Sequence, residues 1–260
     1  MRDADECEQP LAVWGYGADD VTADRHRRRG HSLYEDAHDR RCCHRVPDVE
    51  LSGHTPPGTV RDMKLNSVER ALGNNPLRAA HQHRRESAWF RRLAGGDLSG
   101  QHVLEVGCGR GVGSEVILDR LGAERVTAFD LDDSMVELAR QRLHGRPVSL
   151  SVGDVCAIEQ ASGAIDTVVD FGIIHHVPDW QESIGEIARV LRPGGLLLFE
   201  EIPRHMLDTW VFRTFTVHPR ENRFEADEFA AELARHGLHG TGRIEPRFGG
   251  ALFVGAARKS

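Results

Sequence analysis

Downstream of residue 100, short apolar runs alternate with amphipathic stretches, a regularity that the first sixty residues lack. The runs fall at 102–106 (HVLEV), 125–129 (RVTAF), 148–152 (VSLSV), 165–171 (IDTVVDF) and 196–201 (LLLFEE). Their length and β-branched content predict strands. Between them, apolar positions recur at helical spacing near 113–121, 134–144 and 180–191, and again near 226–236 ahead of Gly237. Ser134 and Glu137 have the spacing of a capping box for the second of these helices. Upstream, NNPLRAAHQHRRESAWFRRLAGG predicts a helix with Asn75 as N-cap, Pro76 at its first position and Gly95 as its stop. Strand–helix alternation predicts an α/β fold: a doubly wound parallel sheet with helices on both faces. The chain closes differently. Two strands near 239–246 and 250–258, turning at Gly249-Gly250, are joined too closely for anything but antiparallel pairing. Ligands of open α/β sheets bind beyond the carboxyl ends of the strands, so chemistry is expected just after strands one to four.

That is where the distinctive residues lie. The first run leads from Glu105 into glycines at 107, 109, 111 and 113 and then into a helix. Glycines suit a tight turn over which a ligand must meet bare backbone. The dinucleotide fingerprint GxGxxG does not fit in either register, because its third glycine would be Val112 or Ser114. At the end of the second run, Asp130 follows the glycine loop by about twenty residues, a spacing at which a carboxylate can accept both hydroxyls of a ribose. Asp132 and Asp133 suit the start of the next helix, while Leu131 and Met135 offer apolar surface for a base. Asp154 and Val155 follow the third run; the carboxylate could accept from an adenine amino group, although an Asp there also serves ordinary turn chemistry. Asp170, His175 and His176 follow the fourth run.

Taken in order, VLEVGCGRGVG, VTAFDLDDSM, SVGDV, IDTVVDFGIIHHVPDW and VLRPGGLLLFEE resemble the class I S-adenosylmethionine-dependent methyltransferases, over roughly residues 67–258. The resemblance implies a Rossmann-like seven-stranded sheet with an antiparallel C-terminal hairpin, and S-adenosyl-L-methionine as the cofactor. It implies that Glu105, Gly107, Gly109 and Gly111 receive the methionine end, with Asp130 on the ribose, Leu131 beside the adenine, and Asp154 and Val155 on the adenine edge. Asp170 joins this cofactor-binding set. Relatives that methylate nucleobase or glutamine amino groups carry an Asn/Asp-Pro-Pro-Tyr/Phe box after strand four. This chain has Asp170-Phe-Gly-Ile-Ile-His-His there, which points to a small-molecule acceptor, quinone-type acceptors included. His176, and after it His175, are the candidate catalytic bases, since histidine titrates near neutrality. A packing and turn role for the same pair is the alternative. Trp210, Phe212 and Phe215 could wall an acceptor pocket or dock an irregular insertion spanning 203–224.

Composition adjusts this picture at its edges. A net charge of −7 gives no reason to expect a nucleic-acid partner. No apolar run is long enough to cross a membrane, and MRDADECEQP has no signal-like core, so a cytoplasmic location is the expectation. Five cysteines form no CxxC pair. Cys42, Cys43, His38 and His44 match no common zinc spacing, and no metal ligand is assigned. Residues 1–60 read as a disordered arm, 61–98 as a helical lid and 99–260 as the cofactor-binding domain; the oligomeric state is not readable.

Overall fold

The structure is a computed structural model. It describes residues 75–210, 214, 218–219, 221–241 and 244–260; the predicted arm over 1–60, the rest of the segment before Asn75, and both Phe212 and Phe215 lie outside them. Helix α1 comprises Pro76–His81, a π-helical segment Gln82–Glu86, and Ser87–Ala94. It starts and stops as predicted: the Leu77 amide donates to Asn75 Oδ1 at 2.8 Å, and Gly95 adopts φ 78° to end it. The π-turn was not legible in the residues. Both Gln82 and Glu86 at its ends are buried.

The sheet is built from β1 (His102–Val106), β2 (Arg125–Asp130), β3 (Val148–Val152), β4 (Ile165–Phe171), β5 (Leu191–Glu201), β6 (Leu238–Gly240), β7 (Glu245–Arg247) and β8 (Leu252–Lys259). Helices α2 (Val112–Asp119), α3 (Asp133–Arg142), α4 (Trp180–Val190), α5 (Arg204–Leu207) and α6 (Ala226–Arg235) complete the described elements. Strand order is β3-β2-β1-β4-β5-β8-β6, with β1 to β5 parallel and β8 antiparallel to its neighbours. Successive strand residues point to opposite faces, so Leu104, Val168 and Leu197 join a core with α4 and α6. Val103, Val169 and Leu198 join a second core, with Phe90 of α1 and Val116 and Ile117 of α2. The expected doubly wound sheet with its antiparallel finish is observed.

Three local expectations need correction. Helix α3 is capped by Asp132, whose side chain accepts from the Ser134 amide at 3.0 Å; Ser134 itself sits inside the helix, so the Ser134/Glu137 capping box does not form. Asp132 wins because it stands one position before the first helical residue, where a short acceptor reaches the second amide. The predicted strand over 239–246 is two pieces, β6 and β7, both paired to β8. Thr241 leaves the ladder between them, its amide donating to Ala256 O at 3.0 Å. Strand β5 begins at Leu191 rather than 196, with an irregularity in its pairing between Ile165 and Thr167 that absorbs the Arg192-Pro193-Gly194-Gly195 turn.

Candidate active site

The glycine loop joins β1 to α2 in a left-handed course. Gly107, Gly109 and Gly111 have φ of 69°, 49° and 86°, values that disfavour any side chain. Packing demands separate the four glycines. A Cβ on Gly107 would meet Ile173, on Gly111 Leu143, and on Gly113 both Glu105 and Phe171, whereas one on Gly109 would meet nothing within 4 Å. Gly109 is thus the glycine whose bare backbone faces open space, as a ligand-facing position requires.

The loop is tied to the end of β2. Asp130 accepts from the Gly109 amide at 2.8 Å through one oxygen and from the Asp132 amide at 2.9 Å through the other. These two bonds, one on each oxygen, orient the carboxylate. Leu131 beside it is half-buried and Met135 is buried at the start of α3. Asp154 is half-buried and accepts from the Cys156 amide at 2.9 Å, the turn chemistry that sequence also allowed; Val155 is packed into the core.

Glu105 ends β1 at 2% exposure, its carboxyl hydrogen-bonded by Ser114 Oγ from the first turns of α2. Burial pushes it up to about 8; the Ser114 bond opposes that shift and nearby Asp130 adds to it. Further carboxyls crowd the ends of β4 and β5. Asp170 accepts from the Gly172 and Ile173 amides at 3.0 and 2.9 Å, and burial beside Glu201 drives it well above the usual range. Burial also lifts Glu200 and Glu201 to about 7. Arg78 of α1 reaches Glu200 at 3.3 Å and also pairs with buried Glu86. Glu200 Oε2 is buried without a hydrogen-bond partner among the described residues. A crevice so rich in carboxyl groups, with one arginine against them, favours a cationic guest, and the ammonium and sulfonium of S-adenosylmethionine supply two positive charges. The residues present fit that cofactor.

Glu201 organises the turn after β4. Its oxygens accept from the Ile174 amide at 2.7 Å, the His175 amide at 3.2 Å and His175 Nδ1 at 2.5 Å, which pins the short 3₁₀ turn Ile174–His176. His175 is buried and His176 half-buried; their rings lie 4.3 Å apart, and His218 stacks on His176 at 4.4 Å. His218, Glu201, Glu200, Ser114 and Arg78 were not assigned from sequence. The pair of glutamates closing the apolar run LLLFEE was the readable clue, because charge at the inner end of a buried strand needs a reason. His218 had no such signal: it stands alone in irregular chain. Trp210 is exposed and lies outside this cluster.

The fold and crevice define a class I cofactor-binding enzyme domain, and comparison with known proteins agrees. A methyltransferase domain family matches residues 104–199. A ubiquinone biosynthesis O-methyltransferase of Bordetella avium is 32% identical over 183 residues, covering 64% of this chain and 73% of that protein. A probable S-adenosylmethionine-dependent methyltransferase of Mycolicibacterium smegmatis is 36% identical over 115 residues, 44% of this chain, and the chain spans only 43% of its length. Among solved structures, a SAM-dependent methyltransferase from Aquifex aeolicus superposes with a TM-score of 0.61 at 19% identity, over 76% of this chain and all of its own. The chain belongs to the S-adenosylmethionine-dependent methyltransferases. No helix among the described residues is long and apolar enough to cross a membrane.

Proposed function

We propose that this chain transfers a methyl group from S-adenosylmethionine to an oxygen of a small hydroxylated acceptor. The observation that carries the reading is the placement of two histidines and a buried carboxyl, His175, His176 and Glu201, beyond the ends of β4 and β5. They stand beside the carboxyl-rich crevice but outside the glycine loop. The cofactor, when bound, brings an electrophilic methyl on a sulfonium. The chain's own residues then have three tasks. Gly107 to Gly111, Asp130 and Asp154 hold the nucleoside and methionine parts. Glu105, Asp170 and Glu200 answer the positive charge. The histidine turn holds the acceptor in line with the methyl and receives or releases its proton, alignment alone being worth several kcal/mol. The His176 base assignment from sequence is carried forward, and the Glu201 pairing makes His175 the anchored member of the pair.

An oxygen acceptor is supported by the O-methyltransferase likeness. A second reading, an acceptor with a lipid tail met at a membrane surface, is favoured by exposed Leu77, Trp210 and Phe248. Calorimetric titration with S-adenosylmethionine, and separately NADH, tests the cofactor; binding of the first alone is expected. Turnover on catechols carrying no tail or a prenyl tail, with and without anionic vesicles, then separates the two acceptor readings. Methylation of the tail-free ring at full rate in the absence of vesicles supports the first. A reaction needing both tail and vesicles replaces it with the second.

A further inference from the structure

Three histidines meet at the acceptor end of the crevice. His175 and His176 arrive on the 3₁₀ turn after β4, and His218 comes from the chain between α5 and α6. One possible ligand atom from each lies within 4.8 Å of the other two. The His176 and His218 rings are nearly parallel, 16° apart, and the His175 and His218 centroids are 5.3 Å apart.

The Glu201 contact points the same way. A histidine that ligates a metal through one nitrogen characteristically gives the other to a carboxylate, which fixes the tautomer and raises the basicity of the ligand. Glu201 takes Nδ1 of His175 at 2.5 Å and is itself anchored by the Ile174 and His175 amides, so the ligating nitrogen of His175 would be Nε2. Zinc–nitrogen bonds of about 2.0–2.1 Å require the three nitrogens to close by on the order of 1 Å. Side-chain rotation of half-buried His176 and His218 can provide that.

We propose that His175, His176 and His218 form a binding site for a divalent transition-metal ion, with Glu201 orienting His175. Three imidazoles select Zn²⁺, Co²⁺ or a neighbouring first-row ion over Mg²⁺ and Ca²⁺, which want oxygen ligands. Three protein ligands also leave a fourth position open, the pattern of catalytic rather than structural sites. Resting on the methyl-transfer reading above, the acceptor hydroxyl occupies that position. With the metal bound, His176 is a ligand in place of the base role given above, and the acidified hydroxyl would give its proton to water; its oxygen would then bond to the methyl carbon as the carbon–sulfur bond breaks. The electron pair stays on sulfur, so S-adenosylhomocysteine and one proton are released.

The test uses the full chain, stripped with chelator and dialysed, then titrated with Co²⁺ in the visible and with Zn²⁺ by calorimetry. Wild type should bind one equivalent of Co²⁺ with tetrahedral d–d bands and no near-ultraviolet thiolate band. His218→Ala and His176→Ala should lose those bands while keeping the wild-type melting temperature. Glu201→Gln should weaken binding by about 10–100-fold. Bands that persist in both histidine variants, a thiolate band from Cys42 and Cys43, or no binding by wild type would overturn the proposal. S-adenosylmethionine affinity is titrated separately on the same samples, so failure of the methyl-transfer reading registers there and leaves the metal result standing.

Discussion

The two ends of the crevice are built on opposite principles. At the β1–β2 end the polar groups are partnered locally: Asp130 to Gly109 and Asp132, Asp132 to Ser134, Glu105 to Ser114, all within about two dozen residues of one another. At the β4–β5 end the partners are distant in sequence. Glu201 holds a turn 26 residues upstream, Arg78 reaches across 122 residues to Glu200, and His218 stacks on His176. The first end is braced before any ligand arrives, as the proposed cofactor cradle requires. The second is assembled by tertiary structure around carboxyls that burial has lifted toward neutrality, so it can specialise without disturbing the cradle.

The widest separation between the two ends should come from His176→Ala. Turnover is expected to fall by about 10²–10⁴-fold, the usual worth of a group that manages a proton at the reacting atom. Affinity for S-adenosylmethionine should stay within about threefold of wild type. A variant with normal turnover would return the histidine turn to a packing role, the alternative that sequence left open.

Asp130→Ala should do the reverse. Losing an acceptor for ribose hydroxyls, and the brace on Gly109, costs roughly 1.5–3 kcal/mol, or about 10–150-fold in cofactor affinity by calorimetry. Unchanged affinity would remove Asp130 from the cofactor site.

This contrast also explains what could be read in advance. The central parallel strand β4 announced itself because a strand buried on both faces must be largely apolar, as in Val168 and Val169. The glycine loop and the carboxylate that braces it were legible because they are close in sequence. The Glu201–His175 bond was not, since no spacing rule links a strand end to a turn 26 residues before it. The π-turn of α1 was hidden too, because nothing in the residues Gln82–Glu86 marks them off from ordinary helix. Misreading Ser134 as the cap had a smaller cause, two adequate capping residues standing two positions apart.

Titration offers a third comparison. Glu105, Glu200, Glu201 and Asp170 are all raised above their unfolded values, so the folded state retains protons that the unfolded chain releases. Their stabilising contribution is complete below the unfolded carboxyl range and is lost as pH rises through about 7 to 8. His218, His81 and His102 are lowered and act in the opposite sense, but only below the ordinary histidine range. The carboxyls therefore act alone above about pH 6.5. Stability to urea should fall between pH 6.5 and 8, by about 1.4 kcal/mol per pH unit for each proton retained. Glu105→Gln should flatten that slope. The same physics predicts proton release when the cationic cofactor binds at pH 7, read from calorimetry in buffers of different ionisation enthalpy. A flat stability profile together with no proton release would mean these carboxyls are already ionised.

The smallest effect concerns α1, which we propose acts as a lid over the crevice. Its first turn depends on one exposed side-chain cap, Asn75 to the Leu77 amide, whereas its last turns are held by Phe90 in the core and by Arg92 on Glu245 at 2.7 Å. Between these ends sits Arg78, which touches Glu200 of the crevice. Asn75→Ala should therefore loosen the first turn by about 1 kcal/mol without disturbing the sheet. If Arg78 must be in place for the crevice to close on its ligand, affinity falls with the population of the ordered turn, by at most about fivefold. Hydrogen exchange should speed up at Leu77–Ala80 and stay unchanged at Phe90, while the global melting temperature moves little. Fast exchange at the first turn combined with full cofactor affinity would show that α1 packs beside the crevice without covering it.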